Sequence, residues 1–201
     1  MQEDKPILEL KRSYWGLRSE MKEWSRAFIF CIPGKTGEFL RRRYALKHFK
    51  KCGNKMKMYP HGKIYNPQNL IVGDGVVISD FVQISAGGGV TLGNRVILGP
   101  FVKVWSINHR YERTDIPIWD QGWTTNPVII EDDVWIGMGA IILPGTHIGK
   151  GALVSAGSVL RKQSIKPYSI VAGNPGRVVG QRIPGEKLHT ERLNRSLPKP
   201  L

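Results

Sequence analysis

The chain has 201 residues, with 30 Lys and Arg against 16 Asp and Glu, a formal net charge of +14, and 41% hydrophobic residues. That length suits one domain with an arm, and the composition excludes a disordered chain or, with 23 Gly and 13 Pro in no three-residue period, a collagen. No apolar run approaches the roughly 18 residues of a membrane span. The charged N-terminus lacks the apolar core of a signal peptide, and Cys31 and Cys52 are too few for a disulfide framework or a zinc site, so a cytoplasmic protein is expected.

Residues 1–63 hold 16 basic and 6 acidic side chains, residues 64–182 hold 10 and 8, and residues 183–201 hold 4 and 2. This predicts a basic arm over 1–63, a nearly neutral body over 64–182 and a short tail over 183–201. Two stretches of the arm read as helix, 14–32 and 37–51. In the second, Phe39, Leu40, Tyr44, Leu46 and Phe49 alternate with Arg41, Arg42, Arg43, Lys47 and Lys50. Such a pattern suits a helix packed on the body with a solvated basic face, or one resting on an anionic membrane surface. No nucleic-acid motif accompanies the charge, so nucleic acid is not an expected partner. The polar tail reads as a short helix around 185–196 with no assigned function.

A six-residue period governs the body. It runs through Val72, Ile78 and Ile84, slips by two residues at Gly87-Gly88-Gly89, and continues at Leu92, Leu98 and Val104. After a break it resumes at Ile130, Ile136, Ile142, Ile148, Val154, Leu160, Lys166 and Ala172. Twelve of these 14 positions are Val, Ile or Leu, and Gly follows six of them. A second small or β-branched residue stands two places earlier, as at Val76, Val82, Val96 and Ala140. Fixed-period self-similarity marks a solenoid. A short β-branched strand points one residue inward, and Gly is expected to supply the corner conformation. Three strands make a coil of about 18 residues, and coils stack at roughly 4.8 Å. Fourteen hexapeptides then predict four to five coils. A β-sandwich would instead space its strands at roughly 8–12 residues without one sustained register.

Gly73-Asp74-Gly75, Leu92-Gly93-Asn94, Val134-Trp135-Ile136-Gly137, Ile142-Leu143-Pro144-Gly145, Ser155-Ala156-Gly157-Ser158 and Ala172-Gly173-Asn174-Pro175 carry a family likeness. Over about 64–182 the chain resembles the hexapeptide-repeat acyltransferases. Within them it is similar to the maltose, galactoside and nodulation-type O-acetyltransferases and to polysaccharide-biosynthesis acetyltransferases. The resemblance implies an all-β solenoid, a left-handed parallel β-helix, an acetyl-coenzyme A donor, and a homotrimer with active sites between subunits. The left hand comes from the resemblance alone and runs against the usual right-handed crossover.

The break from Val104 to Ile130 spans 26 residues instead of six, and an extended loop is expected over 105–127. Solenoids accept insertions at corners, and insertions on one face often mark the binding face. This one holds Asn108, His109, Trp119 and Trp123. Deprotonating a hydroxyl or amine near neutral pH suits an imidazole. In the resembling enzymes the loop between these coils bears the catalytic histidine, which makes His109 the candidate base, with Asn108, Trp119 and Trp123 candidates for acceptor contact. Glu112, Asp115 and Glu131 are candidates to orient it, and the sequence does not choose among them. The family pattern places an oxyanion donor at the backbone N–H near Met138, where some relatives carry Ser. Trp135 walls the acetyl and pantetheine end or packs between subunits. Ser155 and Ala156 offer small side chains and backbone donors, and Arg161, Lys162 and Arg177 suit the phosphates of coenzyme A.

Other chemistries find no support. His48, His61, His147 and His189 lack ligand spacing, so no metal is expected. Gly87-Gly88-Gly89 lacks the Lys-Ser/Thr of a phosphate loop, and no Gly-x-Ser-x-Gly elbow is present. The leading expectation is an acetyl-coenzyme A-dependent O-acetyltransferase acting on a saccharide hydroxyl. Its acceptor would belong to a surface polysaccharide or lipid-linked sugar, met at the inner face of the membrane. The alternatives are N-acylation of a nucleotide-linked amino sugar, acetylation of an antibiotic, and a non-catalytic binding coil.

Overall fold

A computed structural model describes residues 5–182, with side chains from Gly16 onward except that of Arg18. The helix expected around 185–196 lies outside the described residues. Two helices, α1 (Lys5–Cys31) and α2 (Gly34–His48), precede a left-handed parallel β-helix of six coils. Among the described residues no helix is long and apolar enough to cross a membrane.

The coils follow from the hexapeptides. The first holds β1 (Lys51–Cys52), β2 (Lys57–Met58) and β3 (Lys63–Tyr65), and the second β4 (Leu70–Val72), β5 (Val77–Ile78) and β6 (Gln83–Ser85). The third holds β7 (Val90–Leu92), β8 (Ile97–Leu98) and β9 (Lys103–Trp105). A hairpin, β10 (Ile107–His109) and β11 (Trp123–Thr125), then leaves the coil. The fourth coil is β12 (Val128–Ile130), β13 (Trp135–Ile136) and β14 (Ile141–Ile142), and the fifth β15 (His147–Ile148), β16 (Leu153–Val154) and β17 (Val159–Leu160). The sixth has β18 (Ser164–Ile165) and β19 (Ser169–Ala172), against which β20 (Arg177–Gln181) runs antiparallel. Three faces result. Face A stacks β1, β4, β7, β12, β15 and β18; face B starts with β2 and face C with β3.

One residue per strand points inward. Ile78, Leu98, Ile136 and Val154 pair in register on face B and are fully buried. The second apolar positions, among them Val76, Val82, Val96, Val102 and Ala140, are buried as well. Packing of this column supplies the apolar burial that offsets the entropy of ordering so many short strands.

The structure departs from the expected pattern in three places. The β-helix begins at Lys51 instead of residue 64, so there are six coils and not four to five. Cys52, Met58 and Ile64 fill the inward slots of the first coil, and a 3-10 turn at Pro67–Asn69 shifts the count before Val72. At the other end the spacing shortens after Leu160, so Ile165 and Val171 are buried while Lys166 is exposed. Finally, most of the glycines after the inward positions are not there for a left-handed backbone. A Cβ on Gly73 would lie 2.7 Å from the Gly93 backbone, and one on Gly137 would lie 2.6 Å from the Ala156 nitrogen. They permit one coil to lie directly on the next. Positive φ falls two residues later, at Gly75, Arg95, Phe101 and Asp133 among others.

Between faces A and B a polar ladder locks the coils. Asp74 Oδ1 accepts from the Asn54 N–H at 2.6 Å, Asn94 Oδ1 from Asp74 at 2.9 Å, and Asp132 Oδ1 from Asn94 at 2.6 Å. Each side chain satisfies a backbone donor that the turn would otherwise leave open.

The arm is fastened by Arg41, which is 1% exposed. Its Nε donates to Met58 O at 2.7 Å, on the otherwise open edge strand β2, and its Nη1 donates to Ile29 O at 3.2 Å and Ile32 O at 2.6 Å. Burial lowers its pKa, an effect opposed by Glu38 and Asp80. Gly37 lets α2 approach the end of α1, since a Cβ there would fall on the Ile32 carbonyl and 2.7 Å from Arg41 Nη1. Replacing Gly37 with Ala should cost about 2 kcal/mol of stability, and Arg41→Met about 3 kcal/mol, because three carbonyls lose a charged donor. Urea unfolding midpoints that match the parent chain would contradict this fastening.

Candidate active site

The inserted loop leaves the coil after β9 on face C and returns at β12 on face A. Its base sits on Gly87-Gly88-Gly89. The Gly88 N–H donates to Ser106 Oγ at 2.9 Å, and Ser106 Oγ donates to Ser85 O at 2.7 Å. A Cβ on Gly88 would collide with the Ser106 carbonyl oxygen, and one on Gly87 would lie 3.2 Å from Ile107. The triple glycine is therefore the seat of the insertion, a role its sequence did not disclose.

From that base β10 and β11 pair antiparallel, with Ile107 opposite Thr125, Asn108 opposite Thr124 and His109 opposite Trp123. Gln121 ties the tip together, accepting from the Arg113 N–H at 3.0 Å and donating to Arg113 O at 2.7 Å. The His109 ring lies over Trp123, with centroids 3.6 Å apart and planes at 33°, and 6.5 Å from Trp119. Its Nδ1 is buried and has no hydrogen-bond partner among the described residues. Asn108 Oδ1 accepts from the His109 amide at 3.0 Å, so that side chain shapes the strand locally. Trp119 is 82% exposed and Trp123 54%.

None of the three candidate carboxylates bonds to His109. Asp115 pairs with Arg113, and Glu112 accepts from the Tyr111 N–H at 3.1 Å. Glu131 belongs to another corner, between faces A and B. There it meets His147 Nε2 at 2.6 Å and accepts from the Lys150 N–H at 2.8 Å. The histidine is held by aromatic stacking instead. The His147–Glu131 pair escaped the sequence reading, although the two lie at neighbouring positions of successive coils on face A.

The expected donor-side residues fall on two corners. Met138, 55% exposed, and Ser155 and Ala156 lie on the corner between faces B and C. Gly157 and Gly139 on that corner have no atom within 4 Å of where a Cβ would stand, which leaves an open edge. Arg161 and Lys162 are exposed at the corner between faces C and A, the one from which the loop emerges two coils earlier. Arg177 starts β20 opposite Ala172. Trp135 points outward from face B in an apolar column with Ile97 and Leu153. Within one chain the width of face C, about 15 Å at the rise of a strand, separates the two corners. Among the described residues no cluster of three or more His, Cys, Asp or Glu could hold a metal ion.

A left-handed coil of hexapeptides interrupted by one histidine-bearing loop defines a class of protein. Residues 127–162 match the bacterial transferase hexapeptide model. A probable acetyltransferase of Mycobacterium tuberculosis is 34% identical over 114 residues, which span 57% of this chain and 38% of that protein. The hexapeptide-repeat acetyltransferase of Vibrio cholerae O1 biovar eltor, solved with acetyl coenzyme A, is 27% identical with a TM-score of 0.67, covering 76% of this chain and 80% of that one. A galactoside acetyltransferase in complex with coenzyme A shares the fold at 23% identity and a TM-score of 0.72, over 80% and 79% of the two chains. Residues 127–162 thus carry the bacterial transferase hexapeptide repeat, and the chain is similar in sequence and fold to hexapeptide-repeat acetyltransferases.

The corner carboxylates set an acid limit. Hydrogen bonds from the Lys150 amide and from His147 lower the Glu131 pKa, and those from the Asn94 amide and side chain lower that of Asp132. Depressed carboxylates stabilise the fold above their unfolded pKa, and that contribution is lost as pH falls through the usual range near about 4. The melting midpoint should therefore drop below that pH, and a Glu131→Gln, Asp132→Asn double variant should show a shallower fall. Equal slopes for parent and variant would contradict the assignment.

Proposed function

We propose that the protein is an acetyl-coenzyme A-dependent O-acetyltransferase that acts on a saccharide hydroxyl, with His109 as general base. The observation that carries this reading is the loop histidine itself, presented at the coil edge by a hairpin and stacked on Trp123. The hexapeptide-repeat match and the similar acetyltransferase solved with acetyl coenzyme A support the donor. His109 takes the acceptor hydroxyl proton as the oxygen attacks the thioester carbonyl. The tetrahedral oxyanion is met by the backbone N–H near Met138. Collapse breaks the carbon–sulfur bond, and the imidazolium returns its proton to the departing thiolate. Exposed Trp119 and Trp123 offer flat apolar faces of the kind that pack on sugar rings.

The small side chains of Ser155 and Ala156 leave room for the pantetheine chain, and Arg161, Lys162 and Arg177 supply charge for the phosphates. Because these groups occupy two corners of one chain, the reading requires a neighbouring subunit to complete the site, in a homotrimer. The outward apolar column of Ile97, Trp135 and Leu153 gives such a neighbour a surface to cover. The acceptor class rests on the basic arm. Phe39 and Leu46 are exposed on α2 beside its arginines, which suits peripheral contact with the anionic inner face of the membrane, where lipid-linked sugars reside.

Release of coenzyme A, followed with a thiol reagent over a panel of sugars, nucleotide sugars and antibiotics, tests the proposal. One sugar acceptor should support turnover, and His109→Ala should reduce it at least about 100-fold without changing the melting midpoint. Near-normal turnover in that variant would overturn the role of His109. Turnover only with an amine acceptor would overturn O-acetylation.

A further inference from the structure

Helix α1 carries a pattern that the coil and the loop do not use. Ile7, Leu10, Tyr14, Leu17, Met21, Trp24, Phe28 and Cys31 recur at alternating intervals of three and four residues, and α1 spans all of them. From Leu17 onward these side chains face away from their own chain. Leu17 is 59% exposed, Met21 64%, Trp24 77% and Phe28 69%. The helix meets its own body through other residues near its end, where Phe30 is buried and stands edge-on to Tyr44.

An apolar spacing that averages 3.5 residues differs from the broad 3.6-period stripe of a surface helix and matches the a/d seam of a coiled coil. It is sustained over more than three heptads. We infer that this stripe packs against the α1 stripe of a second copy of this chain. The residues beside the seam favour a protein partner over lipid. Pro6, Ser13, Glu20 and Ala27 flank one side, and Lys11, Arg18 and Ser25 the other, two basic residues among seven. A helix lying on anionic lipid would instead line its apolar face with Lys and Arg. Basic residues outnumber acidic ones five to one on α2 but only six to three on the longer α1.

Burying Trp24 and Phe28 alone removes roughly 300 Å² or more per helix. The exposed Leu17, Met21 and Cys31 extend that area along the same face toward the roughly 800 Å² per partner of a stable interface. At its body end the seam opens into a groove of about 780 Å³ lined by Trp24, Phe28, Phe30, His61 and Ile64, which can receive side chains of the incoming helix. A like-on-like contact of this kind closes under rotational symmetry.

The test uses the full chain and does not depend on any activity. Dissociation of the assembly on dilution is followed by light scattering for the parent, for Met21→Glu with Trp24→Glu, and for the conservative Met21→Leu with Trp24→Leu. Circular dichroism checks that the β-helix persists in each. The glutamate variant should dissociate at a concentration at least tenfold higher than the parent, and the leucine variant should assemble like the parent. Identical dissociation of parent and glutamate variant would overturn the inference. So would unchanged assembly with loss of binding to phosphatidylglycerol vesicles, which would assign the stripe to lipid.

Discussion

Everything in this molecule depends on how closely one coil lies on the next. Parallel strands stack at roughly 4.8 Å, and that spacing holds only if the corners carry no side chain that would push neighbouring turns apart. Gly73, Gly93, Gly99 and Gly137 meet this demand, each with backbone or a side-chain oxygen of the following coil where a Cβ would stand. The inward Val, Ile and Leu then fill the interior, and the Asn–Asp ladder satisfies donors at one corner. With both neighbours of every middle strand already hydrogen-bonded, an insertion can leave only at a corner. That constraint is why a loop histidine appears where it does, above a seat of three glycines.

The same constraint explains what the arm does for the fold. The first coil has an open edge, and an open edge is a hazard of aggregation. Helix α2 lies over it, and Arg41 donates to the β2 carbonyl at Met58 while also closing the end of α1. One guanidinium of the basic arm is thus structural. The charge surplus is therefore partly internal, and the part left on the surface of α2 is what the proposed membrane contact would use.

The period of six was legible because Val, Ile and Leu recur with few exceptions between Val72 and Leu160. The first coil was not, because its inward residues are Cys52, Met58 and Ile64 and a 3-10 turn breaks the count before Val72. At the far end, Lys166 and Ala172 were already the two weak members of the series. Their neighbours Ile165 and Val171 take the inward places after a one-residue slip. The position of His109 could be read from the interruption, since a break in register marks a corner. Its partner Trp123 could not, because antiparallel pairing across the loop tip leaves no periodic trace. The pairing of Glu131 with His147 was hidden for the same kind of reason: it joins strands of successive coils, and only the register brings them together.

The proposed active site needs two chains to complete it, and complementation tests that proposal most directly. His109→Ala removes the base, and Ala156→Trp fills the open edge between faces B and C. Each variant alone should release little coenzyme A from acetyl coenzyme A in the presence of a sugar acceptor. Chains of the two variants unfolded, mixed and refolded together should recover a substantial part of the parent turnover, because some sites then combine an intact loop with an intact edge. Mixed assemblies that remain as inactive as either variant would contradict a shared site.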